Sequence, residues 1–327
     1  YTVMEEKALR LSAVFLMILT AVSFVLLPKL PALHTWEVEA REERIAEEEF
    51  AQSQVTMQNL KIKEQNEAAG AKGELSIRLP EGVTGDQIAV SNDYVTQTIR
   101  VEIPQADRTY FDSYPVLGNS DYIDGLSYTR QGETGVIEVT TNKVYELQTE
   151  YDAQNFYFNF LTPHEVYDKV VVIDAGHGGR AVGANKQGIN EKDIDLAIVL
   201  KLKEIFDNSD QNIGVYYTRT DDSNPTFDQR VQLANKSDAD LFISIHNNST
   251  RSGRMSGTSG TQVMYDETSE ASRQFAQICL EEVTGRIGSR DKGLVEGDSI
   301  YIIRTSEVPV ALIEVGFMTN KDELEKL

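Results

Sequence analysis

The sequence predicts an α/β protein in which a mostly parallel sheet covered by helices is preceded by a small antiparallel β domain and an N-terminal transmembrane helix. Three observations lead to this prediction. An uncharged apolar run occupies residues 11–27, apolar and polar residues alternate with a period of two across residues 74–165, and apolar runs alternate with helical patterns from residue 169 onward. A chain of 327 residues also has room for two domains of about 100 to 200 residues each.

The net charge of the chain argues against nucleic acid as a partner. The chain carries 31 Lys and Arg against 52 Asp and Glu, for a formal net charge of -21. Nucleic-acid binding requires clustered positive charge, so this composition argues against it. The single cysteine, Cys279, excludes an intramolecular disulfide, and its helix-like surroundings predict a core position.

The first 73 residues predict a membrane anchor followed by a stalk. We expect a cytoplasmic segment at residues 1–10 and a transmembrane anchor at 11–27, "LSAVFLMILTAVSFVLL". At about 1.5 Å per residue this run approaches the thickness of a hydrocarbon core, whereas the apolar core of a cleaved signal peptide, the alternative, is about 7 to 15 residues long. Residues 28–73 are charged and rich in helix formers without a heptad, which predicts a solvated helical stalk or linker.

Short alternating stretches predict the β domain at residues 74–165. They include "ELSIRL", "TIRVEIP" and "NFYFNF", separated by turn residues. No chemical motif is present there. From residue 169 the near-continuous apolar strands and intervening helices predict a sheet covered on both faces, where ligands bind beyond the carboxyl ends of the strands.

Four polar residues of this second half lie at positions where catalytic or metal-binding side chains are expected. His177 and His246 follow apolar strands, and the glycines around His177 allow close approach of another group. Glu191 opens a helix, where a carboxylate is also favoured for purely structural reasons. Glu314 lies within the apolar strand "VALIEVGF" and therefore needs a partner. Two imidazoles and a carboxylate match catalytic zinc, with a further carboxylate as general base, but the pattern leaves open which glutamate has which role.

The same half contains a series of stretches that resembles a known family. They are "VVVIDAGHGG", "GINEKDIDLAI", "VYYTRTDD", "RVQLANKSDADLFISIHNN", "SGTQVMY", "DKGL" and "VPVALIEVGFMTN". In this order they resemble the zinc-dependent N-acetylmuramoyl-L-alanine amidases of the type 3 amidase family. The resemblance covers residues 169–327, which we expect to be a zinc amidase catalytic domain with a truncated C-terminus. One departure is that the family usually has an aspartate shortly after GHGG, where this chain reads "GGRAVGANKQG".

The resemblance implies roles for individual residues. It implies that His177, Glu191 and His246 bind Zn²⁺ and that Glu314 is catalytic. Three further residues are candidates for orienting a ligand or contacting substrate: Asp174, Asn248 and Arg304.

The resemblance also implies a reaction and a location. Zinc-activated water would cleave the amide between the lactyl group of N-acetylmuramic acid and the L-alanine of the stem peptide in peptidoglycan. The protein would be a single-pass protein of the cell membrane, with the catalytic domain on the extracytoplasmic, cell-wall side. Two alternatives stay open at this point: a catalytically inactive wall-binding scaffold, and a zinc peptidase that cuts within the stem peptide.

Two further expectations concern regulation and wall binding. Some family members carry a long inserted helix that blocks the zinc, and the stretch between "RDKGL" and "YIIRTSEVPVALIEVGF" has little room for one. We therefore expect an open site. The β domain faintly resembles the wall-targeting AMIN modules, and its alternative role is that of a spacer. The sequence indicates no protein partner.

Overall fold

The computed structural model describes residues 30–64 and 72–327. The predicted cytoplasmic segment at 1–10 and the predicted anchor at 11–27 lie outside the described residues. Among the described helices, none has both the length and the apolar character that crossing a bilayer requires.

The chain begins its described part with a long helix, α1, at Leu30–Ser53. This helix lies within the predicted stalk, but one face of it contacts the catalytic domain, where Ala46 is 3% exposed. The prediction of a solvated stalk is wrong in this respect. The reason is physical: the contacting face carries carboxylates rather than apolar side chains, so hydrophobic periodicity gives no sign of it.

Ten strands and one helix form the β domain. They are β1 Gln58–Asn59, β2 Lys63–Glu64, β3 Leu75–Arg78, β4 Ala89–Asp93, β5 Thr98–Pro104, α2 Arg108–Ser113, β6 Leu117–Gly118, β7 Ile123–Gln131, β8 Thr134–Thr141, β9 Glu146–Tyr151 and β10 Asn155–Leu161. The strands make two five-stranded sheets, β1-β7-β8-β5-β4 and β2-β6-β3-β10-β9, in which β2 and β6 form the parallel pair. The domain therefore begins before residue 74, because β1 and β2 pair with its sheets.

The period of two places one face of each sheet in a shared core. Ile99, Val101 and Ile103 of β5 are buried, as are Phe156 and its alternate neighbours on β10. All of these side chains belong to one apolar cluster. The alternation read from the sequence thus identifies the inward face of these strands.

A short helix, α3 Pro163–Val166, leads into the catalytic domain. The elements of that domain are β11 Lys169–Ala175, β12 Asn185–Lys186, β13 Ile189–Asn190, α4 Glu191–Asp207, β14 Ile213–Tyr217, α5 Phe227–Lys236, β15 Leu241–Asn248, β16 Thr261–Tyr265, α6 Glu270–Ile287, β17 Asp291–Glu296, α7 Tyr301–Arg304, β18 Val310–Phe317 and α8 Lys321–Leu324. Six strands form the main sheet in the order β14-β11-β15-β18-β16-β17. The prediction of a mostly parallel sheet is confirmed, with β16 and β18 as its antiparallel pair.

Helices cover both faces of this sheet. Val199 of α4 and Leu280 of α6 pack in one apolar cluster, while Leu233 of α5 and Ile303 of α7 pack in another on the opposite face. Burial from both sides explains why the strands read as continuous apolar runs. The parallel strands β11, β15 and β18 lie side by side, so their carboxyl ends share one edge of the sheet.

Candidate metal centre and catalytic site

The loop after β11 presents His177 in a conformation that depends on glycine. His177 itself has a φ of 59°, and Gly178 follows at 138°. A Cβ on Gly176 would lie 2.3 Å from the His246 ring, which no real side chain tolerates. The bare backbone at Gly176 therefore lets the two imidazoles approach to a centroid separation of 4.8 Å.

Two buried arginines hold this loop by its carbonyl oxygens. Arg219 donates to the oxygens of Ala175 and Gly176 at 3.0 and 2.7 Å. Arg230 donates to the oxygens of Ala175 and His177, both at 2.7 Å. Arg219, which follows β14, and Arg230, which lies on α5, thus have a structural role, which is to fix the backbone beneath His177.

Asp174 supports the loop indirectly. Its carboxylate accepts hydrogen bonds from Arg230 and Thr218, each at 2.6 Å, and from Ser244. Burial alone would raise the pKa of Asp174, but the Arg230 guanidinium and the two hydroxyls lower it to about 2. Asp174 therefore acts on His177 through Arg230 rather than by contact with an imidazole.

Glu191, the first residue of α4, lies between the two histidines. Its Oε1 is 3.1 Å from His177 Nε2 and 3.2 Å from His246 Nδ1. Ligands about 2.0 to 2.1 Å from a tetrahedral ion are separated by about 3.3 Å, so these two separations match those between ligands of a zinc ion. Burial would raise the pKa of Glu191, but the charge and hydrogen bonds of His177 and His246 hold it well below its usual range.

Backbone amides bind both oxygens of the Glu191 carboxylate. Glu191 Oε2 accepts from the Ala184 amide at 2.8 Å, and Oε1 accepts from the Asn247 amide at 3.1 Å. The carboxylate is thereby oriented before any ion arrives. The residues present fit a zinc ion, and the candidate holders are the three that the family resemblance implies.

Asp195 is a member of this cluster that the sequence analysis missed. Ligand atoms of His177, Glu191, Asp195 and His246 all lie within 4.8 Å of one another. Asp195 is fully buried, and its Oδ1 accepts from Asn247 Nδ2 at 2.8 Å. Burial and the charge of Glu191 raise its pKa well above the usual range. The sequence feature that could have identified Asp195 is its position one turn after Glu191, on the buried face of α4.

Glu314 lies directly beside the metal cluster. In the pairing of β15 with β18 it is opposite His246. Its Oε2 is buried and has no hydrogen-bond partner among residues 30–64 and 72–327. Burial, followed by the charge of Glu191, raises the pKa of Glu314 to about 8. A carboxyl group with such a pKa can both accept and donate a proton near neutral pH.

The two remaining candidates for contacting substrate, Asn248 and Arg304, lie in different places. Asn248 lines the same cavity as Glu314, about 380 Å³ in volume, and its Nδ2 donates to Gln262 at 3.4 Å. Arg304 lies outside that cavity, donates to the Ser299 oxygen at 2.9 Å, and faces Glu39 of α1 at 3.7 Å. The predicted substrate contact by Arg304 therefore has no support in its position.

The cavity is covered rather than open. Between α6 and β18 the described elements are β17 and the four-residue α7, so this stretch holds no long inserted helix. Helix α1 covers the site instead: Val38, Glu39 and Glu42 line the cavity, and Glu42 Oε2 lies 3.2 Å from His177 Nδ1. The prediction of an open site is wrong, because the covering helix comes from the segment predicted to be solvated.

Known proteins resemble the catalytic half of the chain. It is 38% identical over 165 residues to the uncharacterized protein YqiI of Bacillus subtilis, covering 49% of this chain and 75% of YqiI. It is 32% identical over 157 residues to the N-acetylmuramoyl-L-alanine amidase CwlM of Bacillus licheniformis, covering 48% of this chain and 60% of CwlM.

A solved structure is also similar to the second half of the chain. The N-acetylmuramoyl-L-alanine amidase from Clostridium difficile 630 is 34% identical, with 48% of this chain and 84% of that chain covered and a TM-score of 0.46. The family model for N-acetylmuramoyl-L-alanine amidase matches residues 171–327, where His177, Glu191, His246 and Glu314 all lie. The family predicted from the sequence is confirmed: this chain belongs to the type 3 N-acetylmuramoyl-L-alanine amidases.

Proposed function

We propose that this chain is a zinc-dependent amidase of peptidoglycan. It cleaves the amide between the lactyl group of N-acetylmuramic acid and the L-alanine that begins the stem peptide. The observation that carries this proposal is the convergence of His177, Glu191 and His246 beside Glu314, within the domain matched to the amidase family.

The ligand set suits Zn²⁺ by its chemistry. Two imidazoles and one carboxylate leave the fourth tetrahedral position for the reaction, as in other catalytic zinc sites. When bound, zinc polarises a carbonyl oxygen and lowers the pKa of water to about 7. His177, Glu191 and His246 hold the ion, while Asn247, Ala184 and the arginines that fix the loop keep these ligands in place.

Glu314 moves the proton of the reaction. Its carboxylate accepts a proton from the attacking water and delivers it to the nitrogen of the leaving L-alanine. One C–N bond breaks, one C–O bond forms, and the products are a lactyl carboxylate and a free amino terminus. The position of Glu314 supports this role, because it lies opposite His246 in the sheet and its Oε2 has no hydrogen-bond partner among residues 30–64 and 72–327.

We also propose where the enzyme works. The apolar run at residues 11–27 anchors it in the cell membrane as a single-pass protein, with the catalytic domain on the cell-wall side, where peptidoglycan lies. The β domain between the anchor and the catalytic domain binds the wall in the manner of an AMIN module. Support for these statements comes from the sequence pattern and from the nature of the substrate.

Digestion of purified peptidoglycan by the full chain tests the reaction. Because α1 covers the site, the assay includes wild type and Glu42→Gln, each with zinc and with a chelator. We expect zinc-dependent release of intact stem peptides with free L-alanine amino termini, identified by mass spectrometry. Glu314→Gln lowers the rate by about 10²- to 10⁴-fold while zinc stays bound. The exposed Glu296→Gln serves as the matched control and retains the activity.

Two outcomes would replace the proposal. Fragments cut within the peptide would identify a zinc peptidase. A folded, zinc-loaded protein that binds the wall in both the wild-type and Glu42→Gln forms without cutting it would identify a scaffold.

A further inference from the structure

Helix α1 contacts the catalytic domain along a single acidic face. Glu39, Glu42, Glu43, Ala46 and Glu49 recur at intervals of three and four residues, which places them on one side of the helix. Among residues 37–53 of this helix, Ala46 is the fully buried one. The helix is therefore held by polar contacts, and little apolar surface is removed from water with it.

The centre of this face contacts the group of predicted metal ligands. Glu42 Oε2 is 3.2 Å from His177 Nδ1, and the two side chains are only 14% and 11% exposed. Glu39 and Glu42 line the cavity that also contains Glu191, His246 and Glu314. A carboxylate of α1 thus lies inside the cavity that contains the predicted metal ligands and Glu314.

Two further glutamates of this face bind the first residues of α5 and α7. Glu43 accepts the amide hydrogen of Phe227, the first residue of α5, at 2.7 Å. Glu39 accepts the amide hydrogen of Tyr301, the first residue of α7, also at 2.7 Å. Phe227 and Tyr301 are neighbours, with ring centroids 6.2 Å apart, so these two contacts fasten the helix to one side of the cavity.

A third anchor lies on the loop that carries His177. Glu49 accepts hydrogen bonds from the Arg180 amide at 3.0 Å, from the Arg180 Nε at 3.1 Å, and from Asn224 Nδ2 at 3.0 Å. Glu48 adds a contact of 2.9 Å to the same guanidinium. Hydrogen bonds to charged groups are stronger than neutral ones, yet exposed ion pairs are weakened by salt and water, so this attachment is reversible.

The covered site is incompatible with a polymeric substrate. A glycan strand with its stem peptides must lie across the entrance to bring one amide to His177 and Glu314, and α1 occupies that entrance. We propose that α1 is an autoinhibitory helix, whose acidic face holds the catalytic cavity closed and whose Glu42 binds His177 inside that cavity. This inference rests on the proposed function, because it names the regulation of the same site.

A carboxylate beside a metal-binding histidine can also orient the imidazole ring, and this is the alternative to closure of the site. The contacts to Phe227, Tyr301, Arg180 and Asn224 favour closure, because they lie away from the His177 ring and orient nothing in it. The two roles predict opposite effects of removing the charge of Glu42: release of activity for closure, and loss of activity for orientation.

The test uses the full chain in detergent and a set of charge-neutral variants. Glutamine keeps the size and helix preference of glutamate. The opened variant combines four changes: Glu39→Gln, Glu42→Gln, Glu43→Gln and Glu49→Gln. The matched control changes two exposed glutamates of the same helix, Glu37→Gln and Glu47→Gln.

Three measurements are made on each protein. They are the rate of peptidoglycan hydrolysis, the rate at which a chelator removes zinc, and hydrogen exchange of α1 and of the Phe227 and Tyr301 amides. We expect all three to rise about tenfold or more in the opened variant, because an enzyme that is active only when open gains in proportion to its open fraction. The control variant should match the wild type in each measurement.

Several results would overturn the proposal. Faster exchange in α1 with unchanged hydrolysis and zinc removal would show that the helix does not obstruct the site. Unchanged exchange would show that these carboxylates do not hold the helix. A fall in hydrolysis on Glu42→Gln alone would assign Glu42 the orienting role.

Failure of the proposed function gives a different pattern. If exchange and zinc removal accelerate in the opened variant while neither protein cuts the wall, α1 closes the site as inferred and the amidase reaction is wrong.

Discussion

Asp174 and Arg230 form an ion pair that is closed to solvent beneath the His177 loop. Their side chains are 1% and 2% exposed, and the oxygen and nitrogen are 2.6 Å apart. Removal of one partner from such a pair leaves a buried charge without compensation, which is strongly destabilising. The geometry of the His177 loop therefore depends on this buried pair.

The pH dependence of stability is predicted to report this pair. The pKa of Asp174 is lowered to about 2, so its ionised form favours the folded state. This contribution is fully present above about pH 4, the pKa range of an unfolded aspartate, and is lost as the pH falls through about 2. We expect Asp174→Asn to lower the free energy of unfolding by about 2 to 3 kcal/mol at pH 7.

Denaturant unfolding measured between pH 2 and pH 7 checks this prediction. The stability of Asp174→Asn should depend less on pH below pH 4 than that of the wild type. Asp210→Asn, a change of the same type at an exposed position, is the control and should follow the wild type. Equal pH dependence in the wild type and Asp174→Asn would contradict the assignment.

At the scale of elements, the turn from β11 into the His177 loop decides whether the two histidines meet. Gly176 lies against the His246 ring, and a Cβ there would approach ring atoms to 2.3–2.6 Å. Its neighbours cannot move away freely, since Arg219 and Arg230 hold the loop carbonyls. The turn is thus shaped by close approach of backbone to imidazole.

Gly176→Ala is predicted to displace His246 and to weaken zinc binding. We expect a loss of about 10- to 100-fold in zinc affinity and a cost of about 1 to 3 kcal/mol in stability, as for overpacking of a filled site. Competition with a chelator measures the first quantity and denaturant unfolding the second. Gly257→Ala, where the added Cβ meets nothing within 4 Å, should leave both unchanged. Wild-type zinc affinity in Gly176→Ala would show that the ring has room to move.

At the scale of the whole molecule, the β domain and the catalytic domain share a polar and apolar contact. Glu146 of β9 accepts from the Tyr216 hydroxyl of β14 at 2.6 Å and from the Tyr94 hydroxyl at 2.8 Å. Val144, from the same end of the β domain, is buried in a cluster of the catalytic domain. The Glu146 carboxylate, the Val144 amide, which donates to the Lys236 oxygen at 3.0 Å, and the apolar surroundings of Val144 therefore join the two domains.

Glu146→Gln is predicted to loosen this contact. The change removes the charge that both tyrosine hydroxyls bind, at an expected cost of about 1.5 to 3 kcal/mol. Calorimetry should then show the two domains unfolding less cooperatively than in the wild type. Glu150→Gln, on the exposed part of the same strand, is the control. An unchanged calorimetric profile in Glu146→Gln would show that the charge of Glu146 does not contribute to joining the domains.

Much of the site was predictable from local sequence. Strand ends and helix starts follow from periodicity over a few residues, so the positions of His177, His246 and Glu191 at such points were visible without a structure. Glu314 was visible because a carboxylate interrupts an apolar strand. The family resemblance then supplied their roles, which stay predictions until the variants are measured.

Asp195 shows where that reasoning failed. Its carboxylate lies on the buried face of α4, and nothing in the local sequence shows what a buried acid there contacts. Its partner, Asn247, is 52 residues away on strand β15.

The kinds of element, the layered α/β architecture and the positions of the candidate site residues could be predicted from the sequence, because each depends on spacing along a short stretch of chain. The covering of the site and the pairing of the strands before residue 74 became visible in the folded chain. The contacts that close the site join residues 135 positions apart at His177 and Glu42, and 262 apart at Tyr301 and Glu39. They are polar contacts between carboxylates and donors, and no hydrophobic period encodes them.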